Sequence, residues 1–399
     1  MKQRSNLKFK KGVLVMDFSI PEEIRDMKRT IRDFVDNEVD KYSQQIEEED
    51  KIPQHLIDQA KEMGLFGMSI PEQYGGLGLS MLDKCLLLEE LGRANMSFTT
   101  LIGAHTGIGT TGIVEMASEE LKKKYLPDMA SGDKLGAFAL TEPDAGSDAS
   151  SMKTNAVLKG DKWILNGIKH FITNAPDASV FTVIAVTDRE KGTRGGYTAF
   201  LVEKDFPGFS IGTIEKKMGL RGSHTSEVIF EDCEVPKENV IGEVGRGYAG
   251  ALRILSKGRV ALGARCVGAC DKLVELCARY AQQRIQFGKP ISSFQAIQWM
   301  LAEMATDTEA ARALTYRVAW MVDQGLPVVK EGPMVKMFAS EALARVADKA
   351  VQVYGGMGYM KEFPVERFYR DARITRLYEG TNEIQRMVIA GRLLKEFEI

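Results

Sequence analysis

Apolar residues recur at helical spacing through the first third of the chain. One face of the segment after Pro21 consists of Ile24, Met27, Ile31, Phe34 and Val35. Proline suits a first helical turn because it has no N–H to leave unpaired. Two further helical segments, HLIDQAKEMG and MLDKCLLLEELGR, are expected to stop at Gly64 and Gly92. The pattern predicts a helical domain over residues 20–135.

The pattern changes between residues 136 and 245. Segments rich in β-branched and aromatic residues, KWILNGIKHFITNA, ASVFTVIAV, GYTAFLVEKD and HTSEVIFEDCEVP, are separated by Gly, Pro, Asn and Asp. Because no long helical crossover lies between them, antiparallel pairing is favoured over a Rossmann sheet. We predict a compact central β domain.

Helical spacing returns over residues 246–399. Residues 294–324 contain no Gly or Pro, and one face carries Ile297, Leu301 and Met304. Further helical runs cover residues 248–285, 333–354 and 382–396. Long helices joined by short links predict a bundle. The fold class is therefore multidomain α+β, with a flexible arm over residues 1–19 ahead of the first helical domain.

Composition narrows the class of protein. The chain has 399 residues, 27% of them charged, and a net charge of −2. That balance argues against a broad nucleic-acid footprint, and no apolar run approaches the ~20 residues that span a bilayer. Five cysteines in so long a chain fit a reducing compartment. The basic N-terminus lacks a secretory apolar region, which favours the bacterial cytoplasm, with the mitochondrial matrix expected for a eukaryotic chain.

Two motifs invite a different interpretation. GRGYAG, from Gly245 to Gly250, matches a dinucleotide-binding fingerprint, but a helical domain follows it, so an interdomain hinge is favoured. Cys266, Cys270 and Cys277 share one helical face, where packed thiols are favoured over zinc ligands. We expect no metal site.

Two stretches near the β domain offer binding chemistry. FALTEPDAGSD carries hydroxyls on Thr141 and Ser147 and can bond a polar ring edge or a phosphate, although a simple turn explains it equally well. In NGIKHFITNA, Phe171 and Thr173 face the same side of a strand. They could cover a planar heterocycle and bond its edge, and a buried strand is the alternative.

Two stretches in the second helical part resemble ligand-binding loops. RIQFGKPISSFQ begins with Arg284, whose forked guanidinium suits a pyrophosphate, although a solvated helix end is the commoner explanation. QVYGGMGYM contains Gly355 and Gly356, which allow close backbone approach. A loop between bundle helices is the alternative here.

The stretch RLYEGTNEIQR holds a single carboxylate, Glu379, on a glycine turn before a helix. Asn382 and Gln385 have the spacing of a capping box at the start of that helix. A carboxylate at a helix N-terminus is common for electrostatic reasons alone. The sharper interpretation is a positioned general base beside N–H donors.

In this order, TEPDAGSD, RIQFGKPI, QVYGGMGYM and YEGTNEIQR resemble the signatures of the acyl-CoA dehydrogenase family, from about Met16 to the C-terminus. The resemblance implies a helical N-terminal domain, a central antiparallel β-barrel, a C-terminal four-helix bundle and non-covalent FAD, usually in a homotetramer. It implies α,β-dehydrogenation of an acyl-CoA to trans-2-enoyl-CoA, with electrons passed to an electron-transferring flavoprotein. An acyl-CoA oxidase and a non-dehydrogenating, nucleic-acid-binding relative are the alternatives.

The resemblance also implies residue roles. Glu379 matches the catalytic base. Flavin contacts are expected from Phe138, Leu140, Thr141, Ser147, Phe171, Ile172, Thr173, Thr381 and Glu383. The FAD of a neighbouring subunit is expected at Arg284, Phe287, Gln295, Gln352, Gly355 and Gly356. Substrate contacts are expected from Ser147, Ser256, Arg259, Tyr378 and Gly380. Some members place the base on the helix that here contains SKGR, where this chain has Gly258.

Overall fold

The computed structural model describes residues 7–10, 13–16 and 19–397. The predicted arm, residues 1–19, falls partly outside these ranges, and its flexibility stays a prediction. Its described part consists of two short strands, β1 (Leu7–Lys10) and β2 (Val13–Met16), which pair in antiparallel fashion.

The first helical domain forms because polar caps start helices whose apolar faces pack together. Its helices are α1 (Glu22–Asn37), α2 (Ser43–Glu49), α3 (Gln54–Glu62), α4 (Met81–Gly92), α5 (Met96–Ala104), α6 (Thr110–Met116) and α7 (Glu119–Ser131). Ser80 and Asn95 accept backbone N–H bonds at the starts of α4 and α5. A π-helical turn, His105–Gly109, joins α5 to α6.

The β domain is a mostly antiparallel sheet, as predicted. Its strands are β3 (Gly136–Ala139), β4 (Asn155–Lys159), β5 (Lys162–Thr173), β6 (Val180–Val186), β7 (Tyr197–Glu203), β8 (Phe209–Ile214), β9 (Thr225–Pro236) and β10 (Val240–Ile241). The hydrogen-bonded order is β10-β7-β6-β4-β5-β9-β8. The short strand β3 pairs with β6 in parallel, which the sequence did not predict; the intervening β4–β5 hairpin gives the chain room to return in the same direction.

The second helical domain is a bundle built on one long helix. Its elements are α8 (Gly247–Gln283), the strands β11 (Ile285–Gln286) and β12 (Lys289–Pro290), α9 (Gln295–Asp323), α10 (Glu331–Tyr354), α11 (Pro364–Thr375) and α12 (Asn382–Glu396). The four predicted long helices are confirmed, and α11 is an additional one. The thiols of Cys266, Cys270 and Cys277 are free and buried in the bundle core, confirming their interpretation as packing groups.

Helix α8 also packs against α4 and β7, so it connects all parts of the fold. A Cβ atom on Gly268 would lie 2.0 Å from the carbonyl oxygen of Glu89 on α4. Because every other residue has a Cβ atom, only glycine permits this close contact between the two helices. At its start, a Cβ on Gly247 would lie 2.4 Å from the backbone of Thr198 on β7. The glycines of GRGYAG thus serve close packing at a domain junction. Within the described ranges, no helix is both long and apolar enough to cross a membrane.

Candidate active site

The turn between α11 and α12 presents Glu379 in an unusual backbone conformation. Its φ angle is +55°, in the left-handed region, and the φ of Gly380 is +91°. Few residues other than glycine adopt such angles, because the Cβ atom meets the backbone. Such a conformation persists where surrounding contacts impose it, and it concentrates at functional sites.

Side chains from three helices hold this turn. Arg259 of α8 donates from Nε to the carbonyl oxygen of Glu379 at 3.1 Å. Lys336 of α10 and Gln385 of α12 each donate to the carbonyl oxygen of Gly380 at 2.8 Å. Lys336 is fully buried, and that burial lowers its pKa to about 8. These contacts fix the direction in which Glu379 points.

The start of α12 differs from the predicted capping box. Its N-cap is Thr381, whose Oγ1 accepts from the N–H of Ile384 at 3.4 Å. Asn382 is buried inside the helix and accepts from Lys336 at 2.7 Å. The prediction that Asn382 and Gln385 form the capping box is therefore wrong, because both side chains bond within the turn and its supports instead.

The carboxylate of Glu379 is shielded from solvent. Its Oε2 atom is buried and has no hydrogen-bond partner among the described residues. A Cβ atom on Gly258 would lie 2.8 Å from that oxygen and 2.9 Å from Cγ2 of Ile108, so α8 leaves just enough room. Burial raises the pKa of Glu379. Nearby positive charges oppose this rise, and in decreasing order of effect they belong to Arg265, Arg259, Lys336 and Lys84. A carboxylate of raised basicity whose oxygen has no hydrogen-bond partner is suited to accept a proton.

The π-helical turn lies opposite α8 at the Glu379 carboxylate, and its Ile108 packs close to Gly258. Lys84 of α4 is buried and donates to the carbonyl oxygen of Thr106 in this turn at 2.7 Å. His105 contacts the carbonyl of Met129 through Nε2 at 3.0 Å and accepts from the N–H of Gly136 through Nδ1. Burial lowers the pKa of His105 to about 4, so its ring is neutral and structural. Irregular helical turns of this kind are frequent at functional sites.

A buried ion pair holds the FALTEPDAGSD loop against β5. Lys169 donates to the carbonyl oxygen of Leu140 and to Oε1 of Glu142, each at 2.9 Å. Glu142 also accepts from the N–H of Thr154 at 2.9 Å. The N–H of His170 donates to the carbonyl oxygen of Thr141 at 2.8 Å. The loop and strand proposed separately from the sequence therefore form one surface.

On this surface an aromatic ring is left uncovered. Phe171 is 61% exposed and has a φ of +57° at a register shift in β5. Thr173 is half-buried nearby, and Gly146 has open space around its Cα. Ile172 packs into the sheet core, so only its backbone is available to a ligand. An exposed ring flanked by hydroxyls fits a planar heterocycle with a polar edge.

A third group of predicted residues lies at the other end of α8. The rings of Tyr280 on α8 and Tyr354 on α10 stack with centroids 4.0 Å apart. The end of α8, which Arg284 follows, therefore packs against the end of α10, which Gly355 and Gly356 follow. Arg284, Gln295, Gln352, Gly355 and Gly356 are all exposed. At 1.5 Å per residue, the end of α8 is about 38 Å from Gly258. One chain therefore does not bring this group to Glu379.

The remaining predicted residues have ordinary surroundings. Ser147 and Glu383 are exposed, and Tyr378 is half-buried. Ser256 donates to the carbonyl oxygen of Leu252 one turn earlier in α8. Phe138 is buried in the core beneath the sheet.

Sequence reasoning missed Lys84, Lys169 and Lys336. Each is a cation in a buried position, bonded to backbone carbonyls that lie far away in sequence. Their only signal was a lysine next to an apolar residue within a helix or strand.

Models of three protein domains match the chain in order. They are the acyl-CoA dehydrogenase N-terminal domain at residues 21–133, the middle domain at 137–233 and the C-terminal domain at 245–394. An acyl-CoA dehydrogenase from Bacillus subtilis is 45% identical over 368 residues, which are 92% of this chain and 97% of that protein.

Solved structures give the same result. Butyryl-CoA dehydrogenase from Megasphaera elsdenii matches with a TM-score of 0.92 and 39% identity, over 95% of this chain and 100% of that one. A chain in a structure of the electron transferring flavoprotein of Acidaminococcus fermentans matches with a TM-score of 0.93 and 42% identity, over the same shares. An acyl-CoA dehydrogenase complexed with FAD from Bacillus anthracis is 41% identical with a TM-score of 0.88, over 95% of this chain and 68% of that one.

Proposed function

The chain belongs to the acyl-CoA dehydrogenase family of FAD-dependent oxidoreductases, and we propose that Glu379 is the base of its reaction. Acyl-CoA dehydrogenation removes a proton from the α-carbon of the acyl group and a hydride from the β-carbon. FAD, when bound, supplies the hydride acceptor that no side chain provides. The buried Oε2 of Glu379, which has no hydrogen-bond partner among the described residues, is the observation that supports the proposal, because burial makes this oxygen basic and leaves it free to accept a proton.

The turn lets Glu379 contribute its backbone as well. Within the described ranges, its N–H donates to no backbone carbonyl, although its C=O is held by Arg259. We infer that this N–H donates to the thioester carbonyl of the substrate. Such a bond stabilises negative charge on that oxygen and so acidifies the α-proton. One residue then both activates the proton and removes it.

The exposed surface of β5 supports a site for the flavin ring. We propose that Phe171 packs on the ring and that the hydroxyls of Thr141 and Thr173 bond its polar edge. Lys169 and Glu142 position this surface from below, since they tie the loop to the strand.

We propose a homotetramer in which Arg284 and the β11–β12 hairpin reach the FAD of a neighbouring subunit. Phe287, at the tip of this hairpin, is 93% exposed and has a φ of +52°. A large apolar side chain held in a strained turn and left in solvent is typical of a contact made with a partner. The distance of this group from Glu379 within one chain supports the same assignment.

Replacing Arg284 with alanine should weaken retention of FAD several-fold, because a guanidinium fork is lost from the diphosphate. The measurement is the FAD-to-protein ratio after gel filtration, with the oligomeric state determined by light scattering. Arg279→Ala is the matched control, since this exposed arginine of α8 forms an ion pair with Glu275 on its own helix. A variant that keeps its full FAD content would argue against this role for Arg284.

Replacing Gly258 with alanine should lower the rate of flavin reduction at least ~10-fold, because the new methyl group displaces the carboxylate of Glu379. The rate is measured by stopped-flow absorbance after anaerobic mixing with butyryl-CoA. Gly391→Ala, on an open face of α12, should leave the rate unchanged. An unchanged rate in Gly258→Ala would show that the carboxylate works from another position.

We propose an electron-transferring flavoprotein as the electron acceptor and the bacterial cytoplasm as the compartment. The first proposal is supported by the structural match from Acidaminococcus fermentans, and the second by the free, buried cysteines. To test the reaction, butyryl-CoA is added anaerobically, and the flavin should bleach. Colour that then returns rapidly with oxygen, and not with an added flavoprotein, would identify an oxidase instead.

A further inference from the structure

Helix α8 places Arg265 on the same face as Gly258. Seven residues separate them, which is close to two helical turns, or about 10.5 Å along the axis. Helical side chains lean toward the N-terminus of their helix. The Arg265 side chain therefore leans toward Gly258, the residue beside the Glu379 carboxylate. Among the positive charges that oppose the raised pKa of Glu379, that of Arg265 has the largest effect.

Helix α5 meets the Arg265 guanidinium from the other side. A Cβ atom on Gly103 would lie 2.6 Å from its Nη1 and 2.7 Å from its Cζ, so the group lies flat against the glycine. Nη1 also donates to the carbonyl oxygen of Thr99 on α5, over a long distance of 3.4 Å. The guanidinium thus bridges α5 and α8, inward from the turn that carries Glu379.

Arg265 lacks the partners that a buried arginine needs. The residue is 7% exposed, and its Nε atom is buried without an acceptor in the part of the chain that the structure describes. Within the described part of the chain, no carboxylate lies at ion-pair distance from it. Arg93, buried to a similar degree, pairs with Glu275. A buried guanidinium with only one long hydrogen bond is costly unless a ligand supplies oxygen atoms.

We propose that Arg265 closes the inner end of the acyl pocket and binds a carboxylate at the far end of the acyl group. The preferred substrate is then a short acyl-CoA with a terminal carboxylate. A carboxylate matches the guanidinium fork and neutralises its charge. The short distance along α8 leaves room for only a few methylene groups between Glu379 and Arg265.

This inference rests on the proposed function, and a matched pair of substrates separates the two. Glutaryl-CoA and valeryl-CoA have acyl groups with the same number of carbons and differ in the terminal carboxylate. Bleaching of the flavin by either compound supports dehydrogenation. Only the preference between them tests Arg265. Binding is measured separately by calorimetry in the Glu379→Gln background, where turnover does not interfere.

The wild-type protein should bind glutaryl-CoA at least ~10-fold more tightly than valeryl-CoA, as expected for a charge-assisted pair. Arg265→Met, with a side chain of similar reach and no charge, should lose this preference and bind valeryl-CoA as well or better. Arg265→Lys should restore part of the preference, because it keeps the charge. Succinyl-CoA and adipyl-CoA then define the acyl length.

Three results would overturn the proposal. The first is a wild-type protein that binds valeryl-CoA as tightly as glutaryl-CoA. The second is an Arg265→Met variant in which both substrates weaken equally, as expected for a purely structural residue. The third is a variant whose only change is a shift of the pH profile of flavin reduction, which would assign Arg265 to tuning Glu379.

A control variant accounts for general effects of removing a buried guanidinium. Arg312 is ion-paired with Glu89 and Asp271. Arg312→Met should lower the melting temperature without changing the ratio of the two affinities. Equal changes of that ratio in both variants would also count against Arg265.

Discussion

Replacing Glu379 with glutamine should lower the rate of flavin reduction by acyl-CoA at least ~10²-fold, while FAD stays bound. The amide has nearly the shape of the carboxylate and cannot accept the α-proton. The rate is followed by loss of flavin absorbance after anaerobic mixing with butyryl-CoA. Normal bleaching in this variant would refute the assignment of the base.

The same variant separates catalysis from stability. Burial raises the pKa of Glu379 in the folded protein, so above the unfolded pKa the charged carboxylate disfavours the folded state. Glutamine removes that cost, so the melting temperature of the Glu379→Gln variant should equal or exceed that of the wild type. Glu362→Gln, at an exposed position ahead of α11, is the control and should leave both rate and stability unchanged.

Replacing Lys336 with methionine should lower the rate of flavin reduction by ~10- to 100-fold, because the turn that presents Glu379 loses a charged support. The loss also removes a positive charge that stabilises the carboxylate. The pKa of Glu379 then rises further, and the acid limb of the rate profile moves to higher pH. Stopped-flow reduction between pH 5 and pH 9 measures both effects.

The control for Lys336 lies on the same helix. Lys349 of α10 pairs with Glu303 at 3.2 Å, away from the turn. Lys349→Met should leave the pH profile in place. A Lys336→Met variant with a wild-type profile would show that Arg259 and Gln385 are sufficient to hold the turn.

Long periodic elements were predictable from the sequence because their cause is local. The run 294–324 was predicted as one helix, and α9 spans Gln295–Asp323. An uninterrupted apolar face without Gly or Pro determines such a helix regardless of its partners. The strands of the β domain were equally clear. The parallel pairing of β3 was not, since it depends on where a short strand enters a sheet built later in the chain.

The site could be predicted only in part, since its residues depend on distant contacts. Glu379 and Gly380 were assigned to a turn, but sequence alone did not show that the glutamate itself adopts a left-handed φ. That conformation requires Arg259 and Lys336, which precede the turn by 120 and 44 positions. Arg265 is the one charged residue in the apolar stretch VALGARCVGAC. This isolated charge is visible in the sequence, but its lack of an ion-pair partner among the described residues depends on contacts that only the fold defines.

The space at Gly258 has an evolutionary consequence. A side chain at this position of α8 would begin 2.8 Å from the oxygen that Glu379 now places there. Glycine and glutamate have neighbouring codons, so reciprocal mutations could transfer the acid from the turn to the helix while its reactive atoms stay in nearly the same place. The fold therefore offers two backbone positions, 258 on α8 and 379 on the turn, from which a side chain can place a carboxylate at the same point. Descendants of a common ancestor could move the acid between these positions without changing the rest of the fold.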